Sequence, residues 1–387
     1  MLSLARGIFR LMCLVPIVAV QLFLRIFRPG RSLQIVVMDP RLFGHQALEP
    51  EVFWNDWQTA AEGGSADYWF CCLGKKSLAS NVFLWKLTKQ RFPILPSWFV
   101  TSVAHWKKKL QLSNICLLDA SIYRLGFLTS RPTTLPEPST MNVRRMEILS
   151  RLVNPERPYV VLTIREHDGR TVSTELRNRR VEDMVPTVNA LVDRGFNVVR
   201  LTSRTRDPLA IDSGHVLDWQ VQVDGRAGDE LAVISGAAFV VSTTTGGDCL
   251  ALAYRREVFY LDVARFFLAF LGTELATLQM AKIIDETSGA RLDLHEVLER
   301  GLGWVGEQEA FAAAGTRVIN SNPEEIRDAV MAFLDRRTTP HAGTTDEAER
   351  AWRDLLMSHH GSEILKRHGP IKARIHPDSR FALLSRA

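Results

Sequence analysis

Gly44 and His45 are the first residues in the chain that could do chemistry, because they follow an apolar, β-branched run over 31–39 that predicts a buried strand. Glycine allows a tight turn and a close approach to a ligand, and histidine titrates near neutral pH. His45 is therefore a candidate general base that takes a proton from a hydroxyl group. A surface or helix-capping histidine is the alternative interpretation.

A second candidate segment, 164–180, begins where a strand predicted over 159–166 ends. Arg165 stands at that point, where its guanidinium could bind a diphosphate through two parallel hydrogen bonds. Arg177 adds positive charge before the next predicted helix. These residue types predict an anion site at the end of the strand.

The same segment carries two acids, Glu166 and Asp168, that could act as acid, base or sugar ligand. The alternative is a solvated, charged loop with internal ion pairs. We favour that structural interpretation for Arg179 and Arg180.

A third candidate segment, 242–257, has small hydroxyl residues, then two glycines, then an apolar helical pattern. Backbone N–H groups at the start of a helix form an anion site, and threonine hydroxyls add donors. The candidate residues are Thr243, Thr244, Thr245, Gly246 and Gly247. The segment is not a P-loop, since no lysine follows the glycines, and it is not a G-x-G-x-x-G turn after the first strand. A tight turn without a ligand is the alternative.

Strands and helices alternate along the chain, and this alternation predicts parallel sheets. In the first half, predicted strands cover 31–39, 67–74 and 92–96, and predicted helices cover 80–91, with Ser80 or Asn81 as N-cap, and 97–110. In the second half, predicted strands cover 159–166, 196–202, 238–244 and 258–262, and a helix capped by Asn322 follows.

A proline-rich stretch at 129–139 separates the two halves, and we place an inter-domain linker there. The chain is therefore predicted to be an α/β protein with two Rossmann-like domains facing across a cleft, in which ligands bind outside the carboxyl ends of the strands. The predicted parts are an N-terminal hydrophobic, membrane-associated helix over 1–30, a first Rossmann-like domain over 31–140, a second over 141–340, and a helical extension over 341–387.

The charge is concentrated at the N-terminus. Residues 1–31 contain five arginines and no acid, whereas the remaining 43 basic residues equal the 43 acidic ones in number. This placement argues against a nucleic-acid groove and for contact with an anionic membrane surface. The uncharged apolar run 11–24 is short for a full span, so we favour an in-plane or shallow membrane helix. A single span, a signal peptide and an ordinary buried helix are the alternatives.

The five cysteines, two of them adjacent, have no metal-ligand spacing, and Cys71 and Cys72 fall in the apolar run "YWFCCLG". They are predicted to be buried thiols in a reducing compartment. The sequence contains no H-E-x-x-H, paired-cysteine or Asp-x-Asp metal motif, so no metal and no metal dependence is predicted.

These segments, taken in order, resemble a family of bacterial GT-B-type glycosyltransferases associated with cell-surface polysaccharide synthesis. The resemblance rests on "FGHQALEPEVF", "TIREHD", "LRN", "GFNVVRL" and "STTTGGDCLALAYRREVFYLD", with similar later segments "NSNPEEIRDAV" and "RIHPDSRF". It covers roughly residues 31–387. The chain departs from the family pattern at Thr163, which replaces a histidine, at Leu176, which replaces a tyrosine, and in the 242–248 turn, where a threonine stands for a glycine.

The resemblance implies transfer of a sugar from a nucleotide-sugar donor to a membrane-linked glycan or lipid acceptor, with no cofactor. It implies that Arg165 binds the donor diphosphate, because the turn is similar to that of fucosyltransferase-like enzymes, and that His45 is the base. It adds Arg177, Asn178 and Asp248 to the donor-binding residues of the turn. The donor is implied to bind to 141–340 and the acceptor to enter from the side of 31–140, at the cytoplasmic face of the bacterial inner membrane.

Two other functions remain open at this point. A nucleotide-sugar epimerase can share the fold but needs no membrane helix and no acceptor. A non-catalytic, membrane-bound scaffold of a glycan-assembly complex would be compatible with the three departures from the family pattern.

Overall fold

The computed structural model describes residues 2–64, 67–119, 133–166, 176–202, 208–220, 228–338 and 347–376. The chain divides into two compact units: an N-terminal unit of Met1–Ile122 with Arg131–Leu135, and a C-terminal unit of Tyr123–Ser130 with Pro136–Ala387. Each unit is α/β with a parallel sheet, as the strand–helix alternation predicts. The domain boundaries given above and the cleft stay predictions.

The N-terminal unit is built on a small parallel sheet. Its elements are α1 (Leu2–Phe27), β1 (Leu33–Met38), α2 (Phe43–Glu62), β2 (Tyr68–Leu73), α3 (Val82–Arg91), α4 (Ser97–Leu110) and β3 (Ile115–Asp119). The strand order is β2-β1-β3, so β1 is central and the strands that follow it lie on opposite sides. The point between β1 and β3 is therefore the topological switch point, where ligands of such sheets bind.

Helix α1 lies on this unit through one face. Ile17 and Leu24, seven residues apart and so on the same side of a helix, are buried in a core cluster with Ile35 of β1 and Val103 of α4. Gln21, between them, donates from Nε2 to Asn114 Oδ1 over 3.0 Å. The apolar pattern of α1 thus stabilises the unit on one side of the helix.

Within the part of the chain that the structure describes, no helix combines the length and the apolar composition that crossing a membrane requires.

The predicted strand at 92–96 is wrong. Only an isolated bridge links Ile94 to Cys71, with two backbone hydrogen bonds, from Cys71 N–H to Pro93 O and from Leu95 N–H to Cys71 O. Pro93 and Pro96 have no N–H group, so the segment cannot extend a ladder along β2. The third strand of the sheet is β3, at 115–119, which the sequence pattern did not reveal.

Cys71 and Cys72 are buried thiols, which confirms the prediction for this pair. They lie in β2 opposite Val36 and Val37 of β1. Burial raises the pKa of Cys71 to about 12 and also raises the pKa of Cys72. Both therefore stay protonated and unreactive near neutral pH.

The proline-rich stretch is held to the N-terminal unit by a buried acid of α2. Glu51 Oε1 accepts hydrogen bonds from Thr133 Oγ1 at 3.0 Å, from Thr134 N–H at 2.7 Å and from Thr134 Oγ1 at 2.5 Å. Glu51 is fully buried, so its charge is compensated by these donors. This anchor explains why residues 133–135 belong to the N-terminal unit.

The C-terminal unit has a larger sheet. Its helices are α5 (Asn142–Leu149), α6 (Val185–Asp193), α7 (Asp229–Ser235), α8 (Gly246–Ala253), α9 (Leu294–Glu299), α10 (Gln308–Ala313), α11 (Pro323–Thr338) and α12 (Glu347–His368). Its strands are β4 (Tyr159–Thr163), β5 (Asn197–Thr202), β6 (Val216–Gln220), β7 (Phe239–Ser242), β8 (Val258–Val263), β9 (Ala276–Met280), β10 (Lys282–Asp285), β11 (Thr316–Ile319) and β12 (Arg374–Ile375).

Seven of these strands form one parallel sheet in the order β12-β9-β8-β7-β4-β5-β6, and β10 pairs antiparallel with β11. From β4 the chain adds β5 and β6 on one side and then returns to place β7 on the other. The switch point of this sheet therefore lies between β4 and β7. Every residue of β4 and β7 is buried, which holds the two strand ends in fixed positions.

The core of the C-terminal unit lies between the sheet and helices α6 and α11. Phe239 and Phe259 on the sheet pack with Phe333 of α11, with ring centroids 5.3 and 5.1 Å from that ring. Asn322 caps α11, as predicted, by accepting from Glu325 N–H at 2.9 Å. Such a cap stabilises a helix by about 1 kcal/mol.

The C-terminal segment is helical only in part. Trp352 of α12 is fully buried, and β12 pairs with β9 at the edge of the large sheet. The sequence pattern did not predict β12, β6 or β9. Residues 347–376 thus pack as part of the C-terminal unit.

Candidate functional site

The carboxyl ends of β4 and β7 are tied together by main-chain and hydroxyl contacts. Thr163, the last residue of β4, pairs with Ser242 of β7, and its carbonyl accepts from Thr243 N–H at 3.3 Å. The next residue but one, Arg165, donates its N–H to Thr243 Oγ1 over 2.8 Å. The arginine and the glycine-containing turn that the sequence singled out therefore meet at the same sheet edge.

The turn into α8 has a strained residue at its centre. Thr244 has φ +57°, in the left-handed region that β-branched residues rarely adopt. Backbone strain of this kind is typical of ligand sites.

Helix α8 starts with a hydroxyl cap and two glycines. Thr245 Oγ1 accepts from Gly247 N–H at 3.2 Å, so Thr245 is the N-cap. The first-turn N–H groups of a helix have no carbonyl partners within that helix and carry its positive dipole end. The turn therefore offers an amide-rich surface suited to an anion.

Gly247 allows α8 to approach β4 closely. A Cβ atom at this position would lie 2.7 Å from Cγ2 of Thr163 and 3.3 Å from its Cβ. Glycine at 247 is thus required by helix–strand packing.

Gly247→Ala is expected to destabilise the protein by about 1–3 kcal/mol, because the added methyl overlaps the Thr163 side chain. In a Thr163→Ser background, which lacks that Cγ2 atom, the same change should cost at least about 1 kcal/mol less. Chemical denaturation of the four proteins gives the coupling free energy. Additive effects of the two changes would contradict this packing.

Asp248 is a fully buried acid in the first turn of α8. Its Oδ2 accepts from Ser242 Oγ at 2.9 Å. Burial raises the pKa of Asp248 to about 6, although the bond from Ser242 acts in the opposite direction. Asp248 therefore stabilises the turn from the protein interior through its side-chain hydrogen bond. Its carboxyl group is not exposed, so the role in binding the nucleotide-sugar donor that was predicted for it gains no support.

Stability should depend on pH through Asp248. Its pKa is higher in the folded than in the unfolded chain, so the folded state binds the extra proton between about pH 4 and 6. The contribution of Asp248 to the free energy of unfolding should therefore fall by on the order of 3 kcal/mol over this range and stay level above it. Asp248→Asn removes the titrating carboxyl group. The free energy of unfolding of the variant should therefore rise relative to that of the wild type between pH 4 and 7. Urea denaturation of both at the two pH values checks this, and an unchanged difference would contradict it.

Arg177 and Asn178 lie beside the turn. Arg177 Nη1 donates to the carbonyl of Thr244 over 3.0 Å, and Asn178 forms a bridge with Arg165. Within the described ranges, Asn178 Oδ1 and Thr163 Oγ1 are buried without a hydrogen-bond partner. A buried polar group without a partner costs about 1–3 kcal/mol, so a partner for either atom would stabilise the protein.

Of the two acids proposed for catalysis in this segment, Glu166 is paired with the buried guanidinium of Arg200, which also pairs with Asp218 at 3.1 Å. This pairing gives Glu166 a structural task, and the catalytic role predicted for it gains no support. Asp168 lies outside the described residues. Arg179 forms a buried ion pair with Asp262 of β8, so its role is structural, but the side chain is buried and not part of the solvated loop expected for it.

His45 lies in the first turn of α2 instead of in the preceding loop. It is one of the residues that line an open pocket of about 670 Å³ at the switch point between β1 and β3. The other residues that line the pocket are mostly apolar, including Leu78, Leu117 and Leu118. The charged residues among them include Asp39 and Arg41. Arg41 pairs with Asp39 at 2.7 Å and holds the pKa of that carboxyl below its usual value.

Glu49 is a residue of this pocket that the sequence analysis missed. Its Oε1 lies 2.7 Å from His45 Nδ1, and its Oε2 accepts from Asp39 N–H at 2.7 Å. The side chain of Glu49 is only 3% exposed, against 33% for His45. In the sequence, the available signal for this pair was the four-residue spacing of a histidine and a glutamate on a predicted helix. That spacing indicates a functional pair only when the burial of the glutamate is known.

Among the residues that the structure describes, no group of three or more His, Cys, Asp or Glu side chains could hold a metal ion. Metal independence stays a prediction.

No model of a known protein family matches the chain, and no curated protein sequence matches it. Solved structures with a similar fold include the E. coli ADP-heptose lps heptosyltransferase II, with 12% identity and a TM-score of 0.45 over 80% of this chain and 100% of that one. A glycosyl transferase family 9 protein from Veillonella parvula DSM 2008 has 9% identity and a TM-score of 0.38, over 73% of this chain and 96% of that one. The iron-containing dodecameric glycosyltransferase TibC from enterotoxigenic E. coli H10407 has 11% identity and a TM-score of 0.38, over 80% and 77%. Likeness at this level does not define an activity.

Proposed function

We propose that this chain is a glycosyltransferase that moves a sugar from a nucleotide-sugar donor to a membrane-linked glycan or lipid acceptor. One observation supports the proposal above others. In each unit, the residues with the chemistry for one substrate lie at the topological switch point of the sheet, between β4 and β7 and between β1 and β3. Switch points are where open α/β sheets bind their ligands.

The donor diphosphate is assigned to the C-terminal unit. The α8 N-terminus, the threonine hydroxyls of the turn and two arginines, Arg165 and Arg177, supply the donors that an anion needs. Thr163 Oγ1 could donate to a phosphate oxygen, whereas Asn178 Oδ1 only accepts and could bind a hydroxyl group of the donor.

The acceptor is assigned to the pocket of the N-terminal unit. His45 is the candidate base for its hydroxyl group. The apolar linings, such as Leu78 and Leu117, suit an acceptor that carries an apolar chain. A lipid-linked acceptor combines both features.

Binding of nucleoside diphosphates and nucleotide sugars to the full chain tests the proposal. Ligands that bind the folded state raise its thermal midpoint, so a shift is expected with at least one of ADP, UDP, GDP or their sugars, with or without a chelator. The absence of any shift would favour a non-catalytic scaffold. Release of an epimerised nucleotide sugar from the donor alone would identify an epimerase instead.

Helix α1 is proposed to lie on the cytoplasmic face of the bacterial inner membrane. Its face away from the core exposes large apolar side chains, each between 48% and 72% exposed: Met12, Val15, Leu22, Phe23, Ile26 and Phe27. Arg25 and Arg28 on the same segment are exposed as well. An apolar helix face next to arginines matches the boundary of an anionic bilayer.

Co-sedimentation with vesicles measures this contact. The chain should bind vesicles that contain anionic lipid, more weakly at high salt, and Phe23→Glu with Ile26→Glu should reduce binding at least about tenfold. Val143→Glu with Val153→Glu is the matched control, since these valines are also exposed but lie in the C-terminal unit. Equal loss in both variants, or no binding by the wild type, would contradict the membrane contact.

A further inference from the structure

The pocket of the N-terminal unit contains a histidine–carboxylate pair that is built differently from an ordinary surface ion pair. We propose that Glu49 is a positioning residue for His45: it fixes the ring tautomer and stabilises the positive charge that the ring gains when it takes a proton from the acceptor. The inference rests on the proposed function, in which His45 is the base.

The geometry holds the carboxylate of Glu49 from both sides. One oxygen contacts His45 Nδ1 at 2.7 Å, and the other accepts the main-chain N–H of Asp39, at the end of β1, at 2.7 Å. Because the second contact is to the backbone, the carboxylate cannot rotate away from the ring without losing a partly buried hydrogen bond. The orientation of the imidazole is therefore set by β1 as well as by α2.

This contact determines which ring nitrogen carries hydrogen. A carboxylate is only an acceptor, so Nδ1 must be the donor in the neutral ring, and the lone pair is then on Nε2. A buried carboxylate beside the ring also favours its protonated form. Both effects are those that a general base requires from a partner acid.

The reaction step balances with these groups alone. The acceptor O–H proton moves to Nε2 of His45, and the acceptor oxygen forms a bond to the anomeric carbon of the sugar. The bond between that carbon and the diphosphate oxygen breaks, and its electron pair leaves with the nucleoside diphosphate. Glu49 keeps its charge throughout and neither gives nor takes a proton in this step.

A second pair in the same chain shows what an ordinary arrangement looks like. His295 and Glu299 of α9 have the same four-residue spacing, but their atoms are 3.4 Å apart and the side chains are 46% and 57% exposed. Exposed helical pairs of this kind interact weakly, because water screens their charges. In the pocket, by contrast, Glu49 is 3% exposed, and the neighbouring charges of Asp39 and Arg41 pair with each other.

Nitrogen-detected NMR of the histidine rings tests the inference without any substrate. The protein has 10 histidines, and the His45 signal is assigned by its loss in His45→Asn. In the wild type, the neutral His45 ring should carry hydrogen on Nδ1. In Glu49→Gln, the midpoint of its titration should fall by about one pH unit or more, because the anionic partner is gone.

Two results would overturn the inference: hydrogen on Nε2 of neutral His45 in the wild type, or an unchanged His45 midpoint in Glu49→Gln. If that variant does not fold, the tautomer of His45 in the wild type still tests the inference. The Glu49→Asp variant tests it as well, since its His45 titration midpoint is expected to be intermediate. These readouts are independent of the proposed function. If the pair titrates as expected but no nucleotide sugar binds, the pair stands and the glycosyltransferase proposal fails.

Discussion

Replacing Arg165 by alanine is expected to remove measurable binding of nucleoside diphosphates while leaving the fold intact. Arg165 follows β4 at the switch point, and its main chain is held by the Thr243 hydroxyl and by Arg179 N–H at 2.8 Å each. A charge-assisted, two-pronged contact to a phosphate contributes about 3 kcal/mol, so the dissociation constant should rise by at least about 100-fold. Isothermal titration with the full chain measures it.

The matched control is Arg180→Ala. Arg180 is close in sequence and equally charged, but its side chain is 78% exposed and pairs with Glu182. Its removal should change diphosphate affinity less than about threefold, since exposed charges act weakly at a distance. Arg165→Lys should recover part of the affinity, because it restores the charge without the planar fork. Unchanged affinity in Arg165→Ala would show that the diphosphate is bound elsewhere.

His45→Asn is expected to lower the rate of sugar transfer by about 10²–10⁴-fold, which is the usual contribution of a positioned general base. Donor affinity should stay the same, because the donor is assigned to the other unit. The measurement is incorporation of labelled sugar, from the nucleotide sugar that the binding screen selects, into a lipid extract of bacterial membranes.

His295→Asn is the control for this change, since His295 also precedes a glutamate by four residues on a helix but lies on the surface of the C-terminal unit. It should transfer sugar at the wild-type rate. If His45→Asn transfers sugar as fast as this control, His45 is not the base. If His45→Asn also loses donor affinity, the division of substrates between the units is wrong.

Much of the secondary structure could be read from local patterns. The strands at 33–38 and 159–163 follow from β-branched apolar runs, and Asn81 and Asn322 cap helices as expected. These features depend on contacts between residues a few positions apart, so the sequence shows them directly. The wrong and missed predictions concern features that do not depend on such local contacts alone. The run at 92–96 has a strand-like composition, but its prolines prevent it from forming a continuous series of backbone hydrogen bonds. Strand β12 forms only because it can pair with β9.

The residues of the candidate sites also fall into two groups, those that the sequence indicates and those that only the tertiary structure reveals. The arginine at a strand end and the hydroxyl–glycine turn were evident from residue type and order, and so was His45. The pairing of Glu166 with Arg200, which argues against a catalytic role, required β4 and β5 to be neighbours. The burial of Glu49 likewise depends on how α2 packs on β1.

The sequence by itself determined the α/β alternation, the helix caps, the buried cysteines and the residue types available for chemistry, because each depends on neighbours along the chain. Only the tertiary structure decided the strand order, and with it the two switch points at which Arg165 meets the 243–247 turn and His45 lines a pocket. Strand order is set by the pairing and burial of whole surfaces that are distant in sequence. No local pattern encodes that choice, so the groups that converge on a ligand become known only when the sheet is assembled.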